Sequence, residues 1–456
     1  MNTREEKDSL GSVKIPVDAY YGAQTERSRQ NFTNSGLRLP GIFIRSLAII
    51  KRFAAVVNGD LKLLDLKLAD AIMTAAQEVA DGKFDDAFVV DLFQTGSGTS
   101  TNMNMNEVIA SRANELLTGK KGGRSPVHPN DHVNLGQSSN DIIPSVIHVA
   151  GLTIINSELI PAMEALQTAL MQKATEFASI KKIGRTHLQD AVPIYLGDEF
   201  CGYARQAALS IKRIEIASEN LRELPLGGTA IGNGLNTHPG FAGHVVQMLS
   251  EYLKIDFFEA VNHFEAQSAK DALVEMSGAL KTTAVSLTKI ANDIRLLSSG
   301  PRCGLGETRI PSLQPGSSIM PGKVNPVIPE SVLQIAAQVI GNDLTITLAG
   351  QGGNFELNTM MPVMAYNFLQ SISILSIGAR SLGEKCVEGV TADLEKCAFY
   401  VDQSLALVTY LVPQLGYDQA AVISKKAHTT GKSITEVVLE EGLLTEEELV
   451  RTFHKT

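Results

Sequence analysis

The sequence predicts a mainly α-helical protein built around a central bundle of long helices. Between about residues 140 and 390, apolar residues recur at positions i, i+3, i+4 and i+7, a spacing that places them on one face of a helix. Several of these segments, such as 268–299 and 361–386, are longer than the average helix of about 11 residues. Glycine-rich loops separate the segments, as expected for helices packed side by side in a bundle.

The parts of the chain before and after this bundle have a different character. Residues 18–32 lack helical periodicity and predict extended segments and turns, so the first part should be of mixed structure. After about residue 390 the helical patterns are shorter and carry ordinary charge. We therefore predict an N-terminal domain at 1–138, the central helical bundle at 139–392 and a small helical C-terminal domain at 393–456.

The bundle helices also predict association between copies of the chain. The segment 361–386 is apolar over more than one stripe and has few charges on any face. Such a helix must be covered on several sides, either by its own bundle or by another subunit. A homo-oligomer follows from this pattern.

Composition limits the partners and the compartment. The net charge of −9 and the pI near 5.6 argue against nucleic acid or an acidic membrane surface as a main partner. The four cysteines are widely spaced and fit free thiols in a reducing compartment. The polar N-terminus lacks the features of a signal or transit peptide, and no run of about 18 uncharged apolar residues predicts a membrane span. A cytoplasmic protein is expected.

Four loops rich in Ser, Thr, Asn and Gly each lead into a helical pattern. They read "TGSGTSTNMNMNEV" (95–108), "GQSSNDIIPS" (136–145), "GRTHLQDAVP" (184–193) and "GSSIMPGKVNP" (316–326). The first N–H groups of a helix carry partial positive charge, so these side chains either cap the helix or help it to hold an anion. Capping explains any one loop. Four loops that also carry His187 and Lys323 predict a dicarboxylate site.

No cofactor or metal ion is expected. The "GSG" at 96–98 is followed by no Gly-Lys-Ser/Thr, and its spacing is not that of a dinucleotide-binding loop. His128, Asp131 and His132 could suggest metal binding, but Pro129 and the Asn-Asp pair indicate a turn, and no third strong ligand follows nearby.

Taken together and in order, these loops resemble the signature blocks of the fumarase/aspartase superfamily. "GSSIMPGKVNP" resembles its signature loop, and "GSGTSTNMNMNE", "HPND", "QSSND", "GRTHLQDA" and "GPRCGLGE" resemble further blocks in the same order, from about Ser9 to the C-terminus. The resemblance implies a helical-bundle lyase without cofactor or metal. It also implies a homotetramer in which three subunits contribute to each active site.

Within the superfamily, His187 and the two serines of "QSSND" resemble the iron-independent class II fumarases, and "GNFELN" (353–358) favours them too. Those enzymes reversibly hydrate fumarate to L-malate in the tricarboxylic acid cycle, whereas aspartases typically carry Gln and "STND" at these places. Gly136 and the segment "AVPIYLGDEF" depart from the usual fumarase sequence, and the segment "TGKSITEVVLEEGLLTEEEL" favours aspartase. An aspartate ammonia-lyase, another fumarate-releasing lyase and a non-enzymatic protein that kept the scaffold remain alternatives.

The resemblance also implies roles for individual residues. Ser317 would be the base that removes the proton, Lys323 and Asn325 would hold the carboxylate whose charge grows, and His187, paired with Glu330, would handle the water as general acid and base. The implied substrate-binding residues are Ser97, Gly98, Thr99, Asn102, Ser138, Ser139, Asn140, Thr186, Ser318 and Val324.

A possible second dicarboxylate site is implied at His128, Pro129, Asn130 and Asp131. The arginine that accompanies this site in the family stands one place early here, at Arg124.

Overall fold

Long helices dominate the chain, and the strands of the described residues pair only in twos. The computed structural model describes residues 2–32 and 34–453, so residues 454–456 of the predicted C-terminal domain lie outside the described part. The first nine helices are α1 (Ala23–Asn31), α2 (Gly41–Asp60), α3 (Leu66–Ala80), α4 (Thr99–Thr118), α5 (Ser139–Ile154), α6 (Ile160–Glu176), α7 (Leu196–Ser218), α8 (Phe241–Leu253) and α9 (His263–Ser268). The predicted fold class is confirmed.

The later helices include three of 24 residues or more. They are α10 (Asp271–Leu297), α11 (Val327–Gly350), α12 (Met361–Lys385), α13 (Leu394–Gln403), α14 (Val412–Leu415), α15 (Tyr417–Thr430), α16 (Ile434–Glu440) and α17 (Glu446–Phe453). The sequence pattern located α11 and α12 to within a residue, because long apolar periodicity is the most reliable helical signal.

Five two-stranded sheets lie between the described helices. Antiparallel pairs are formed by β1 (Thr3–Asp8) with β2 (Gly11–Pro16), β3 (Lys181–Thr186) with β4 (Gln189–Tyr195), β7 (Thr308–Arg309) with β10 (Thr391–Ala392), and β8 (Gly353–Asn354) with β9 (Leu357–Asn358); β5 (Glu223–Leu224) and β6 (Phe258–Glu259) are parallel. The "GRTHLQDAVP" stretch is therefore a β-hairpin, and the expectation of a plain loop leading into a helix was wrong there.

The chain folds into two compact units, each made of three separate stretches. The first comprises Met1–Pro161, Ser210–Ala284 and Ile335–Ser376, and the second comprises Ala162–Leu209, Val285–Gln334 and Ile377–Thr456. In the second unit, α15, α16 and α17 enclose a small apolar core that includes Ile423 and Val437. The three consecutive domains expected from sequence texture remain a prediction.

Helix α1 corrects the expectation of extended structure at 18–32. Its own residues are polar, and its first turn is stabilised by a side chain from α4 instead. Glu107 accepts hydrogen bonds from the backbone N–H groups of Gly22, Gln24 and Thr25 at 2.9, 2.9 and 3.1 Å. A carboxylate at a helix N-terminus neutralises the partial positive charge there, although Glu107 lies 82 residues from Thr25 in the chain.

Two helical stretches are long and apolar enough to cross a membrane by length and composition alone. The first, Ser139–Glu176, has 78% of its most apolar window buried inside the fold, as a core helix has. The second, Val327–Gly350, has only 39% of that window buried. Both stretches contain scattered polar residues, so neither is the run of about 18 uncharged apolar residues that would predict a membrane span.

Candidate active site

Three hydroxyl groups join the N-termini of α4 and α5 in the first unit. Ser97 Oγ lies 2.8 Å from Thr99 Oγ1, which lies 2.6 Å from Ser139 Oγ. We call Ser97, Thr99 and Ser139 the hydroxyl cluster. Each helix start contributes N–H groups without intrahelical partners and a partial positive charge. Two such ends joined by hydroxyl donors form a setting that favours a carboxylate.

Gly98 makes this approach of the two helices possible. It precedes α4 in the left-handed conformation, with φ of 71°, and a Cβ atom there would lie 2.9 Å from Ile143 Cγ2 on α5. Any side chain would therefore push α5 away and strain the backbone. The substrate-binding role of Gly98 remains a prediction.

The neighbouring residues Ser138 and Asn140 are engaged in local bonds. Ser138 caps α5: its Oγ accepts from the N–H of Asn140 at 3.2 Å, and its own N–H donates to Asp141 Oδ1 at 2.9 Å. Asn140 donates through Nδ2 to the carbonyl of Ala230 at 2.8 Å. Of the "SSN" triplet, only Ser139 has its side chain in the hydroxyl cluster.

Asn102, in the first turns of α4, belongs to a buried amide network beside the hydroxyl cluster. Asn134 Oδ1 accepts from Asn102 Nδ2 at 3.1 Å, from Asn106 Nδ2 at 3.0 Å and from Lys51 Nζ at 2.9 Å. Burial lowers the pKa of Lys51 to about 7, while the negative charge of Asp141 opposes that shift. Sequence reasoning missed Lys51, although a lysine within the apolar run of α2 is itself a signal of a buried polar partner.

The β3–β4 hairpin, residues 181–195, presents Thr186 and His187. We call it the His187 hairpin. His187 and Leu188 form its turn, and both have positive φ, at 56° and 61°. Neither is glycine, so this left-handed backbone costs roughly 1–2 kcal/mol per residue. Thr186 and His187 are exposed, which leaves both side chains available to a ligand.

The loop 316–326, which we call the signature loop, closes on itself. The Gly316 N–H donates to the Lys323 carbonyl at 2.8 Å, and Asn325 Nδ2 donates to the Gly316 carbonyl at 2.6 Å. A Cβ atom at Gly316 would lie 2.5 Å from that Lys323 carbonyl, so only glycine fits. The two halves of the loop therefore meet at Gly316.

Ser317 Oγ accepts two backbone hydrogen bonds inside the signature loop. The donors are the N–H groups of Ile319, at 3.2 Å, and Met320, at 3.0 Å. Hydrogen bonds of this kind stabilise negative charge on the oxygen and so favour loss of the hydroxyl proton. The role of Ser317 as the base remains a prediction.

The remaining predicted residues of the second unit lie on or just after the signature loop. Ser318, Lys323 and Val324 are exposed, and Glu330 lies in the first turn of α11. Among the described residues, the side chains of His187 and Glu330 have no hydrogen bond, and Lys323 has no ion pair. The pairing of His187 with Glu330 therefore remains a prediction.

At the possible second site, the backbone N–H groups are already occupied. His128 Nδ1 accepts from the N–H groups of Asn130 and Asp131 at 3.2 and 3.0 Å, in a short π-helical turn that begins at Pro129. Burial, with the nearby charge of Arg124, lowers the pKa of His128 and keeps this nitrogen an acceptor. A carboxylate would have to displace the imidazole.

Within residues 2–32 and 34–453, no group of three or more His, Cys, Asp or Glu side chains is placed to hold a metal ion. The four cysteines are free thiols; Cys386 and Cys397 are buried, and Cys201 and Cys303 are exposed.

Comparison with known proteins gives the class of this site. The family model described as "Lyase" matches residues 11–341, and the model "Fumarase C C-terminus" matches residues 407–454. A solved structure of recombinant class II fumarase from Schistosoma mansoni superimposes with a TM-score of 0.96 at 41% identity, covering 100% of this chain and 99% of the other. The native form of a Brucella melitensis protein described as fumarate lyase:delta crystallin gives a TM-score of 0.92 at 44% identity, covering 99% of each chain. The protein is a lyase of this fold.

Relatives of known name define the family more closely. "Fumarate hydratase class II" of Nitrosomonas europaea is 52% identical over 445 residues, covering 98% of this chain and 96% of the relative. The protein of the same name from Thermosynechococcus vestitus is 51% identical over 450 residues, covering 99% and 96%. The chain belongs to the class II fumarate hydratase family.

Proposed function

We propose that the chain catalyses the reversible addition of water to fumarate, giving L-malate, with Ser317 as the base. The observation that carries this proposal is the pair of backbone N–H groups on Ser317 Oγ, in a member of the class II fumarate hydratases. Serine is a poor base at neutral pH, and such donors are what make its alkoxide accessible.

The chemistry requires positive groups where charge develops. In the dehydration direction, a proton leaves the carbon next to a carboxylate and produces a doubly charged aci-carboxylate. Ser317 takes that proton, and Lys323, Asn325 and Ser318 stabilise the extra charge. Lys323 is exposed and has no ion pair in the described chain, so its charge remains available to a substrate.

The substrate would be held by its carboxylates at preformed donors. The hydroxyl cluster with the N-termini of α4 and α5 would bind one end, and Thr186 would bind from the His187 hairpin. His187 would donate a proton to the departing hydroxyl, which leaves as water, with Glu330 as its partner.

A homotetramer with active sites shared between three subunits would complete this arrangement. Helix α11 carries a stripe of exposed apolar residues at successive turns: Ile340, Leu344 and Leu348 are 41%, 61% and 59% exposed. Their spacing of four places them on one helical face, which a neighbouring subunit would cover. The exposed positions of His187 and Lys323 are consistent with partners supplied by another subunit.

Compartment and pathway complete the proposal. Free, widely spaced cysteines and an acidic composition are consistent with a cytoplasmic enzyme of the tricarboxylic acid cycle. Binding of a dicarboxylate at the second site would require His128 to turn away from Asn130 and Asp131.

The test is an ultraviolet assay for the appearance of fumarate with chelator-treated protein. L-malate and L-aspartate are offered in parallel, with Ser317→Ala as the matched control. Rapid signal from malate alone, lost in the variant, is the expected result. Signal from aspartate would instead identify an ammonia-lyase, and silence from both would favour another substrate or an inactive scaffold.

A further inference from the structure

Four charged side chains, two of them on strand β3 of the His187 hairpin, form a largely buried cluster in the second unit. We call Lys182, Arg185, Glu199 and Glu307 the Glu307 clamp. Glu307 Oε2 lies 2.7 Å from Arg185 Nη1 and 3.4 Å from Lys182 Nζ, and Glu199 Oε1 lies 2.8 Å from Lys182 Nζ. The two positive and two negative charges balance. Glu307 is completely buried, and Lys182 nearly so.

The backbone of Glu307 is fixed independently of its side chain. Its carbonyl accepts a hydrogen bond from the Asp393 N–H at 2.9 Å, and the next residue, Thr308, pairs with Ala392 in the β7–β10 sheet. The Cys397 thiol also donates to this carbonyl, at 3.6 Å. Glu307 is therefore a rigid point from which a carboxylate extends toward β3.

Arg185 is held on a second side by an aromatic ring. Its guanidinium lies 5.5 Å from the centre of the Tyr400 ring, and Tyr400 Oη donates to the Gly304 carbonyl at 3.3 Å. A planar guanidinium with a carboxylate at one edge and a ring at its side has few alternative positions. Arg185 directly precedes Thr186 and His187 in the chain, so it fixes the strand just before the tip.

Stability alone gives a poor account of this cluster. Burying charges costs a large desolvation free energy, and a buried ion pair often adds little to stability compared with an apolar replacement. Two carboxylate oxygens of the clamp, Glu307 Oε1 and Glu199 Oε2, are buried without a hydrogen-bond partner in the described chain, which adds to the cost. The strained turn at His187 and Leu188, however, needs a firm attachment nearby.

We propose that Glu307 is a positioning residue for the reaction: through Arg185 it holds the tip of the His187 hairpin, so that Thr186 and His187 meet the substrate in the required geometry. This inference rests on the proposed function for its catalytic consequence. Its structural consequence, a fixed hairpin tip, can be measured without any substrate.

The experiment compares Glu307→Gln with Glu199→Gln. Both variants remove one carboxylate charge beside Lys182, a fully buried one at Glu307 and a partly exposed one at Glu199, but only Glu307 contacts Arg185. We expect Glu307→Gln to lower kcat for malate dehydration about 10- to 100-fold, because small displacements of catalytic groups have effects of this size. Glu199→Gln should keep kcat within about two-fold of the parent, because Arg185 still holds the strand that carries the tip.

Hydrogen exchange measured by mass spectrometry gives the second readout. Peptides covering 181–195 should exchange faster in Glu307→Gln than in Glu199→Gln or the parent. Equal exchange and equal kcat in the two variants would overturn the proposal. If the parent itself were inactive toward malate, the proposed function would fail, and the exchange data alone would decide the positioning role.

A double-variant comparison separates positioning from general loss of stability. In an Arg185→Met background, Glu307→Gln should lower kcat little further, because its path to the hairpin is already broken. Additive losses would contradict an action through Arg185. If Glu307→Gln fails to fold, Arg185→Lys replaces it as the test, because lysine keeps the positive charge but lacks the planar guanidinium. An unchanged kcat in Arg185→Lys would overturn the proposal. A lower kcat with a normal melting temperature would support it.

Discussion

The hydroxyl cluster and the signature loop place their functional oxygens in opposite settings. Ser97 and Ser139 are buried, and their hydroxyls meet through Thr99, which connects two long helices. The signature loop is largely exposed, and the side-chain hydrogen bonds of Ser317 and Asn325 stay within the loop. One region is rigid because packed helices hold it; the other keeps its shape by bonds of its own.

This difference is consistent with the two tasks. A group that binds a carboxylate gains from being fixed in advance, since its dipoles then need no reorganisation. A loop that covers the substrate must open for entry and close for reaction, so it cannot be packed into the core.

The largest effect should come from Ser317→Ala. Loss of the proposed base should lower kcat roughly 10³-fold with KM nearly unchanged, because the hydroxyl cluster, the proposed substrate-binding region, is untouched. Steady-state kinetics with malate, together with a thermal melt, measure this. Leu313→Ala, an exposed change just before the loop, is the control and should retain parental kcat. A kcat within ten-fold of the parent in Ser317→Ala would exclude Ser317 as the base.

Mixing two inactive variants tests whether the two regions come from different subunits. Ser317→Ala and Ser139→Ala are each expected to be nearly inactive when assayed separately. If each site takes its two serines from different subunits, random hybrids should regain about a quarter of parental activity, since each serine is intact half of the time. Activity is assayed after denaturing and refolding the mixture. No recovery above the separate variants, with tetramers formed, would place both serines in one subunit.

His187→Asn should lower kcat on the order of 10²-fold, because it removes the acid–base group and keeps a residue that tolerates the left-handed turn. Leu188→Asn is the matched control, since it places the same side chain at the other left-handed position of the turn. Steady-state kinetics with malate measure kcat and KM in both variants. Equal losses in the two variants would mean that the turn, and not the imidazole, carries the effect.

The smallest effect is expected for Lys51, which belongs to the buried amide network beside the hydroxyl cluster. Burial lowers the pKa of Lys51 to about 7, so the unfolded chain binds one more proton than the folded chain between about pH 7 and 10.5. The free energy of unfolding should therefore rise with pH in that window, by about 2–3 kcal/mol between pH 7 and pH 9, relative to Lys51→Met. Below pH 7 both states bind the proton, and the difference should be constant.

Urea unfolding at fixed protein concentration measures this change. The exposed Lys67→Met is the control and should follow the parent at both pH values. Curves for the parent and Lys51→Met that stay parallel from pH 7 to pH 9 would show that Lys51 is charged throughout.

The sequence by itself determined the helical bundle, and it predicted the site residues. Apolar periodicity located α11 and α12 because a long helix that packs on one face must repeat every three to four residues. The start of α5 was visible for a similar reason: Ser138 and Asp141 form a capping box that satisfies N–H groups only a few positions away. Interactions of this kind join residues that are close together in the chain, so the sequence alone can reveal them.

Only the tertiary structure decided the features that depend on distant partners. Helix α1 begins where it does because Glu107 caps it from another helix, and 184–193 forms a hairpin because β3 finds its partner in β4. The buried charges of Lys51 and Glu307 are tolerable only next to Asn134 and Arg185, which lie 83 and 122 residues away in the chain. A charge can be buried only where folding brings a partner close to it. A local sequence pattern does not show which distant residue that partner is.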